Sequence, residues 1–328
     1  MKGPMRLHHF ALRPGEHLAT PALLSTLLPR LAHERVHLFR WALVAGVVVV
    51  GVLAATGLVI PAIIVAALVV PALYIAYLRV ADVYADAPAL VLLGTVTAGA
   101  AVGVAITAVA NTIGKGLGAG GVILLSLVVA VVAELLKPAV PLFFLRRRFP
   151  NTLDGLVFGV AAGVGYALAQ TLINLTGSLG GVALRVDPAS WVFTLVSAAI
   201  LIPLLHGSCS GLVAASLWRP RGGRDAVLRA AGLPLAVIAD ICFLVGSEIL
   251  DDAGLSPLFV LLWQAVVVAG VVVAIRVLLH AAVLDEGTAL GLRERRCPHC
   301  GLTVEAAGFC PQCGVILAAP AGAAIVSG

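Results

Sequence analysis

Charge is scarce in this chain. Only 11% of its 328 residues are Asp, Glu, Lys or Arg, 61% are hydrophobic, and the mean hydropathy is +1.10. Soluble domains carry about 25% charged and roughly 45–50% apolar residues. The shortfall excludes an ordinary soluble globule and points to an all-α polytopic membrane protein. It also removes the usual meaning of the net charge of +5: no nucleic-acid partner is expected, and what matters is the side of a bilayer on which the cations lie. Other absences narrow the chemistry. There is no glycine-rich phosphate loop, and Ser208 and Ser210 beside His206 on one stretch do not make a Ser–His–Asp triad. The first apolar run begins near Trp41, so a cleavable leader is not expected.

Long apolar runs are abundant. A crossing helix needs about 20 apolar residues. The run from Trp41 to Leu78 is nearly twice that, so it divides into a hairpin turning near Gly57–Pro61. Further spans are expected at about 88–110, 121–145, 153–175, 189–217, 230–250 and 258–283, about eight in all. With both termini in the cytoplasm, Arg79, Arg146–Arg148, Arg219, Arg221, Arg293, Arg295 and Arg296 fall inside, whereas only Lys115 and Arg185 fall outside. That positive-inside bias favours an even count and a multi-pass protein of the plasma membrane. Residues 1–38 form the N-terminal segment, whose leucines at uneven helical spacing suit either an interfacial helix or a partly ordered leader. The membrane domain covers 39–285, and the small-residue stretch 317–328 reads as a flexible tail.

Two of the six cysteines, Cys209 and Cys242, lie in apolar runs. The other four occupy CPHCGLTVEAAGFCPQCG, in which Cys297 and Cys300 form one C-x2-C turn and Cys310 and Cys313 a second. Two such knuckles aim four thiolates at one tetrahedral ion, so residues 290–316 are expected to fold as a small cytoplasmic ribbon holding a structural Zn2+. An all-thiolate site is closed to substrate; it stabilises a fold or recruits a cytoplasmic partner. The reducing cytoplasm disfavours disulfides there.

Charged residues at the centre of a membrane helix cost about 2.5–3.5 kcal/mol each on insertion scales and persist where they face protein or trapped water. Those inside the apolar runs are Glu134, Lys137 and Asp240, accompanied by Gln170, Asn174, His206 and Gln264. Glu134 and Lys137 are three apart and share a helical face. Pro138 follows and cannot donate to the carbonyl of residue 134. The pair suits a wet cavity; the alternative is an internal ion pair that only orients helices. On the next span Gly155, Gly159, Gly163, Ala167 and Thr171 repeat every four residues, a ribbon that admits a close neighbour. Close packing of that ribbon with the Glu134 helix would bring Gln170 towards Glu134. His206 follows Pro203 on the sixth span. One carboxylate, one amide and one imidazole on successive helices suit hydrolysis, with the carboxylate as base on water and the imidazole at an oxyanion or a metal.

These residues carry a resemblance. Ala133-Glu134-Leu135-Leu136-Lys137, the basic loop Arg146–Arg148, Asp154-Gly155, Phe158-Gly159, Tyr166-Ala167-Leu168-Ala169-Gln170 and the later His206 follow in the order found in PrsW-type intramembrane proteases. These belong to the superfamily that includes CAAX-processing membrane proteases, and the resemblance covers about residues 120–250. It implies a protease-like membrane core acting on a membrane protein or peptide within the lipid bilayer. The family's Glu-Glu-x-x-Lys has Ala133 at its first glutamate here, Gln170 replaces a second-helix glutamate, and Ala239-Asp240 stands where a further histidine is expected.

Three readings follow. In the first, Glu134 activates water, His206 binds the oxyanion, Lys137 and Gln170 position groups, and Asp240 stands in for the missing histidine. A second metal in the membrane core is left open. In the second, the fold is a catalytically degenerate pseudoprotease that binds membrane segments while its ribbon recruits a partner. In the third, Glu134 and Asp240 relay protons in a transporter, although no inverted repeats accompany them.

Overall fold

The computed structural model describes residues 38–56, 58–81, 88–179, 193, 196–218, 226–289, 295–296 and 303–304. The N-terminal residues 1–37, the cysteines Cys297, Cys300, Cys310 and Cys313, and the tail 317–328 lie outside the described residues. In chain order the α-helices are α1 (Leu38–Ala55), α2 (Val59–Ala81), α3 (Ala89–Gly114), α4 (Ala119–Leu136), α5 (Ala139–Phe144), α6 (Thr152–Leu179), α7 (Ile202–Trp218), α8 (Ala226–Asp252) and α9 (Pro257–Ala289). A π-helical turn, Ser197–Leu201, leads into α7. The strands Arg295–Arg296 and Thr303–Val304 pair antiparallel, with Arg296 opposite Thr303.

Among the described residues, six helical segments are long and apolar enough to cross a bilayer: Ala89–Gly114, Gly120–Phe144, Thr152–Asn174, Ser197–Trp218, Ala230–Asp252 and Pro257–Leu279. The chain is a multi-pass membrane protein. The hairpin expected ahead of them is present as α1 and α2, whose described apolar stretches, Leu43–Leu53 and Ile64–Ile75, are shorter. Its bend comes before Pro61, which sits in the first turn of α2, where a helix has no use for the missing N–H. Thr56 ends α1 by donating its hydroxyl to the carbonyls of Val52 and Leu53 at 3.0 Å each.

Two helices form the centre. In α6 and α7, 78% and 83% of the apolar window is buried, against 17–28% in the other four. The reason lies in side-chain size. A Cβ added at Gly159 would meet Ala214 and the Ser210 carbonyl, and one at Gly163 would fall on the His206 carbonyl. These glycines let the α6 and α7 backbones touch, as small residues do in membrane helix pairs. The opposite face of α6 does the same with α3: Gly99 faces the Ala162 carbonyl, and Gly165 faces that of Val96. The four-residue ribbon therefore packs on α7 and not on the Glu134 helix, correcting that expectation. Helices α4, α8 and α9 flank this centre, and side chains such as Leu124, Val128, Ile238, Leu262 and Val266 face outward, where acyl chains would lie.

At the end of the bundle that carries Arg146–Arg148, Trp218 donates its indole N–H to the Phe149 carbonyl at 2.6 Å and stacks on Phe158, ring centroids 6.1 Å apart. Asp154 accepts from the Asn151 N–H at 3.2 Å, closing the N-terminus of α6. The basic loop is thereby tied to the two central helices.

Candidate functional site

Glu134 and Lys137 occupy the last turn of α4, just before the proline break. Pro138 has no N–H for the Glu134 carbonyl, yet the chain continues with near-helical geometry into α5, so both side chains stay on one face. That face meets α7 and α8. Lys137, Glu134 and Asp240 are 0%, 0% and 1% exposed and His206 is 2% exposed. Five of the seven polar residues singled out in the sequence (Glu134, Lys137, Gln170, His206 and Asp240) converge here, from four helices, whereas Asn174 and Gln264 line a neighbouring cavity.

Lys137 is the hub. Its ammonium donates to Glu134 Oε1 in a short hydrogen bond and to His206 Nδ1 at 2.9 Å. An ammonium has no lone pair, so Nδ1 is the acceptor. The imidazole proton therefore sits on Nε2, which donates to Gln170 Oε1 at 2.9 Å. Asp240 lies alongside, with Oδ2 3.9 Å from Lys137 Nζ and Oδ1 3.7 Å from His206 Nδ1. Gln170 thus meets His206, not Glu134, because its helix is seated against α7.

The sequence reading undervalued two residues. Tyr166 sets its ring edge-on to His206, centroids 4.9 Å apart at 71°, and lies 4.8 Å beneath the Lys137 ammonium. Its position one turn before Gln170 was the available signal. Tyr74, from α2, shares a 2.8 Å hydrogen bond with Ser208 on α7, a contact across 134 residues that no local pattern announces.

Buried charges without partners are costly, by several kcal/mol per ion. Here Glu134 Oε2 and both oxygens of Asp240 have no hydrogen-bond partner within the described protein. Together with His206 they form a set of metal-ligand types whose atoms lie within 4.8 Å of one another. Two carboxylates and an imidazole are the donors divalent zinc or manganese takes from proteins. By donor type the set fits a divalent ion, with lone pairs free on Glu134 Oε2 and Asp240 and that of His206 Nδ1 accepting from Lys137.

Towards the opposite end of the bundle from Arg146–Arg148 lies a cavity of about 340 Å3, which Thr171, the residue after Gln170, helps to line. Thr171, Ser197, Ile202 and Gln264 are among its walls. Thr171, next to Gln170, is buried with its hydroxyl unpartnered. Ser197 donates to Gln264 Oε1 at 2.7 Å, and the Gln264 amide donates to Ser247 at 3.1 Å.

A bundle of this kind, wrapped around two carboxylates, an amine and an imidazole, defines an integral membrane protein with a buried ionisable centre. Residues 87–275 match the family model described as PrsW family intramembrane metalloprotease. The match spans more than half of the chain, and the protein belongs to the PrsW family. It takes in α3 and much of α9, beyond the 120–250 core read from the motifs. No curated protein and no solved structure matches the chain.

Proposed function

We propose that the chain is an intramembrane endopeptidase that cuts membrane-anchored proteins by activating water at Glu134. The observation that carries this reading is the convergence of Glu134, His206 and Asp240, from three helices, within 4.8 Å inside the bundle. Glu134 Oε2 is the base, since Oε1 is held by Lys137 and Oε2 has no partner. A positioned base contributes about 10²–10⁴-fold. His206 Nε2–H turns from Gln170 to the developing oxyanion. Lys137 fixes the Glu134 rotamer, Gln170 orients the imidazole, and Asp240 balances the positive charge on the Lys137–His206 side. Glu134, His206 and Asp240 are the residues that would hold a divalent ion, whose contribution is Lewis-acid polarisation of the scissile carbonyl. The neighbouring cavity, whose walls are mostly apolar with amide and hydroxyl groups and the Asp251 carboxylate, suits an unwound peptide segment. Cleavage of a membrane-anchored reporter in cells by wild type but not by Glu134→Gln tests the reading; equal cleavage by both sinks it.

The degenerate, substrate-holding reading is favoured by Ala133 and by the neutral Gln170, which stand where the family pattern has carboxylates. Its mark is a partner that co-purifies equally with wild type and Glu134→Gln but is lost with Cys297→Ser. We further propose eight crossings, counting α1 and α2, both termini on the cytoplasmic side of the plasma membrane, and a zinc ribbon at Cys297, Cys300, Cys310 and Cys313. The charge asymmetry supports the orientation. The short pairing of Arg295–Arg296 with Thr303–Val304, which brackets Cys297 and Cys300, supports the ribbon. Loss of one zinc per chain on deletion of residues 290–328 is the expected measurement, and unchanged zinc content overturns it.

A further inference from the structure

The three candidate ligands for a divalent ion already surround a cation belonging to the chain. Lys137 Nζ bonds Glu134 Oε1, bonds His206 Nδ1 at 2.9 Å and lies 3.9 Å from Asp240 Oδ2. It thus touches or faces one atom of every member of the set. We propose that Lys137 is the resident cation of this centre and competes with a divalent metal for Glu134, His206 and Asp240, so that metal enters only when the ammonium leaves. The proposal rests on the hydrolytic reading of the centre for its purpose, but its chemistry stands on geometry alone.

The histidine makes the competition strict. A neutral imidazole has one in-plane lone pair. With the proton on Nε2, that lone pair is on Nδ1 and is taken by the Lys137 ammonium. A metal bound at Nδ1 must displace the ammonium. A metal bound at Nε2 moves the proton to Nδ1, where it can no longer accept from the ammonium. Either way the Lys137–His206 bond breaks. Glu134 Oε1 faces the same choice, and a displaced ammonium remaining nearby would repel the incoming ion. The walls give it little room to move: Tyr166 lies under it at 4.8 Å, and Lys137 is fully buried. The oxygens of Glu134 and Asp240 that accept no hydrogen bond lie beside the lysine in the same cluster, and would be the first donors open to an incoming ion.

The test is metal binding, read without any substrate. In full-length protein with Cys297, Cys300, Cys310 and Cys313 changed to Ser, Co2+ is titrated by equilibrium dialysis and visible absorption. The four-serine parent should bind no equivalent with a dissociation constant below about 10 µM, an affinity worth about 7 kcal/mol. Adding Lys137→Met should create one site at least tenfold tighter than the parent's, and adding Glu134→Gln to that variant should abolish it. Lys137→Arg, which keeps the cation, should gain nothing. One tight equivalent in the parent overturns the proposal, and so does a folded Lys137→Met protein with no gain. Should Lys137→Met not fold, Lys137→Gln, which keeps a hydrogen-bond donor but no charge, takes its place under the same criteria. Proteolysis does not enter, so an inactive wild type leaves this result intact, and a failure here leaves water activation by Glu134 standing.

Discussion

Gly163→Ala is the sharpest probe of how the fold holds the centre. The added methyl would fall on the His206 carbonyl oxygen and also meet Ser210 Cβ, so backbone, not a movable side chain, stands in the way. Restoring van der Waals distance requires α6 and α7 to part by on the order of 1 Å. Overpacking of that kind costs about 1–3 kcal/mol. For a domain of this size each kcal/mol lowers Tm by about 2–4 °C, giving a drop of about 2–12 °C. The same parting pulls His206 from Gln170, and a misplacement of about 1 Å in a catalytic array can cost on the order of 100-fold in rate. Thermal stability of the detergent-purified protein and reporter cleavage measure the two effects. Two controls separate them. Gly270→Ala adds its methyl to open space on α9 and should leave both readouts unchanged. Gly99→Ala collides with the Ala162 carbonyl on the α3 side, away from His206, and should lower Tm with a smaller loss of cleavage at equal destabilisation. A Gly163→Ala protein with wild-type Tm and cleavage would refute the claim that the α6–α7 contact sets the site.

Other perturbations have defined outcomes. Lys137→Ala leaves Glu134 and Asp240 buried without a counter-charge and should destabilise by about 3–5 kcal/mol in denaturation experiments, much of it recovered by adding Glu134→Gln. Asp240→Asn, changing one of the buried carboxylates, should reduce reporter cleavage well beyond a surface change such as Arg147→Gln; equal effects would remove Asp240 from the centre. Trp218→Phe loses the bond to the Phe149 carbonyl and should cost about 1 kcal/mol in thermal denaturation while sparing cleavage.

The polar centre was legible in the sequence because a membrane leaves so few reasons to keep a charge. Glu134, Lys137 and Asp240 each stood out against Val, Leu and Ala, and i,i+3 spacing alone put the first two on one face. The order of spans was legible for the same reason, since length and apolarity suffice. Who faces whom was not. A glycine ribbon announces a close neighbour without naming it, and the ribbon from Gly155 to Thr171 turned out to seat α7, moving Gln170 onto His206. The Tyr74–Ser208 contact was hidden because nothing in either segment refers to the other. The lysine at the middle of the ligand set was equally invisible: spacing predicts that Glu134 and Lys137 are neighbours, but only coordinates show His206 Nδ1 at 2.9 Å from the same ammonium.

A water-activating centre between α4, α7 and α8 must place an oxygen from water in the product of cleavage. Purified protein in proteoliposomes with a membrane-anchored reporter, incubated in 18O-labelled water, tests this most directly. A cut reporter whose new carboxylate carries the label is expected with wild type and with Cys297→Ser, and no product with Glu134→Gln or His206→Ala. Labelled product from Glu134→Gln at the wild-type rate would contradict water activation by Glu134.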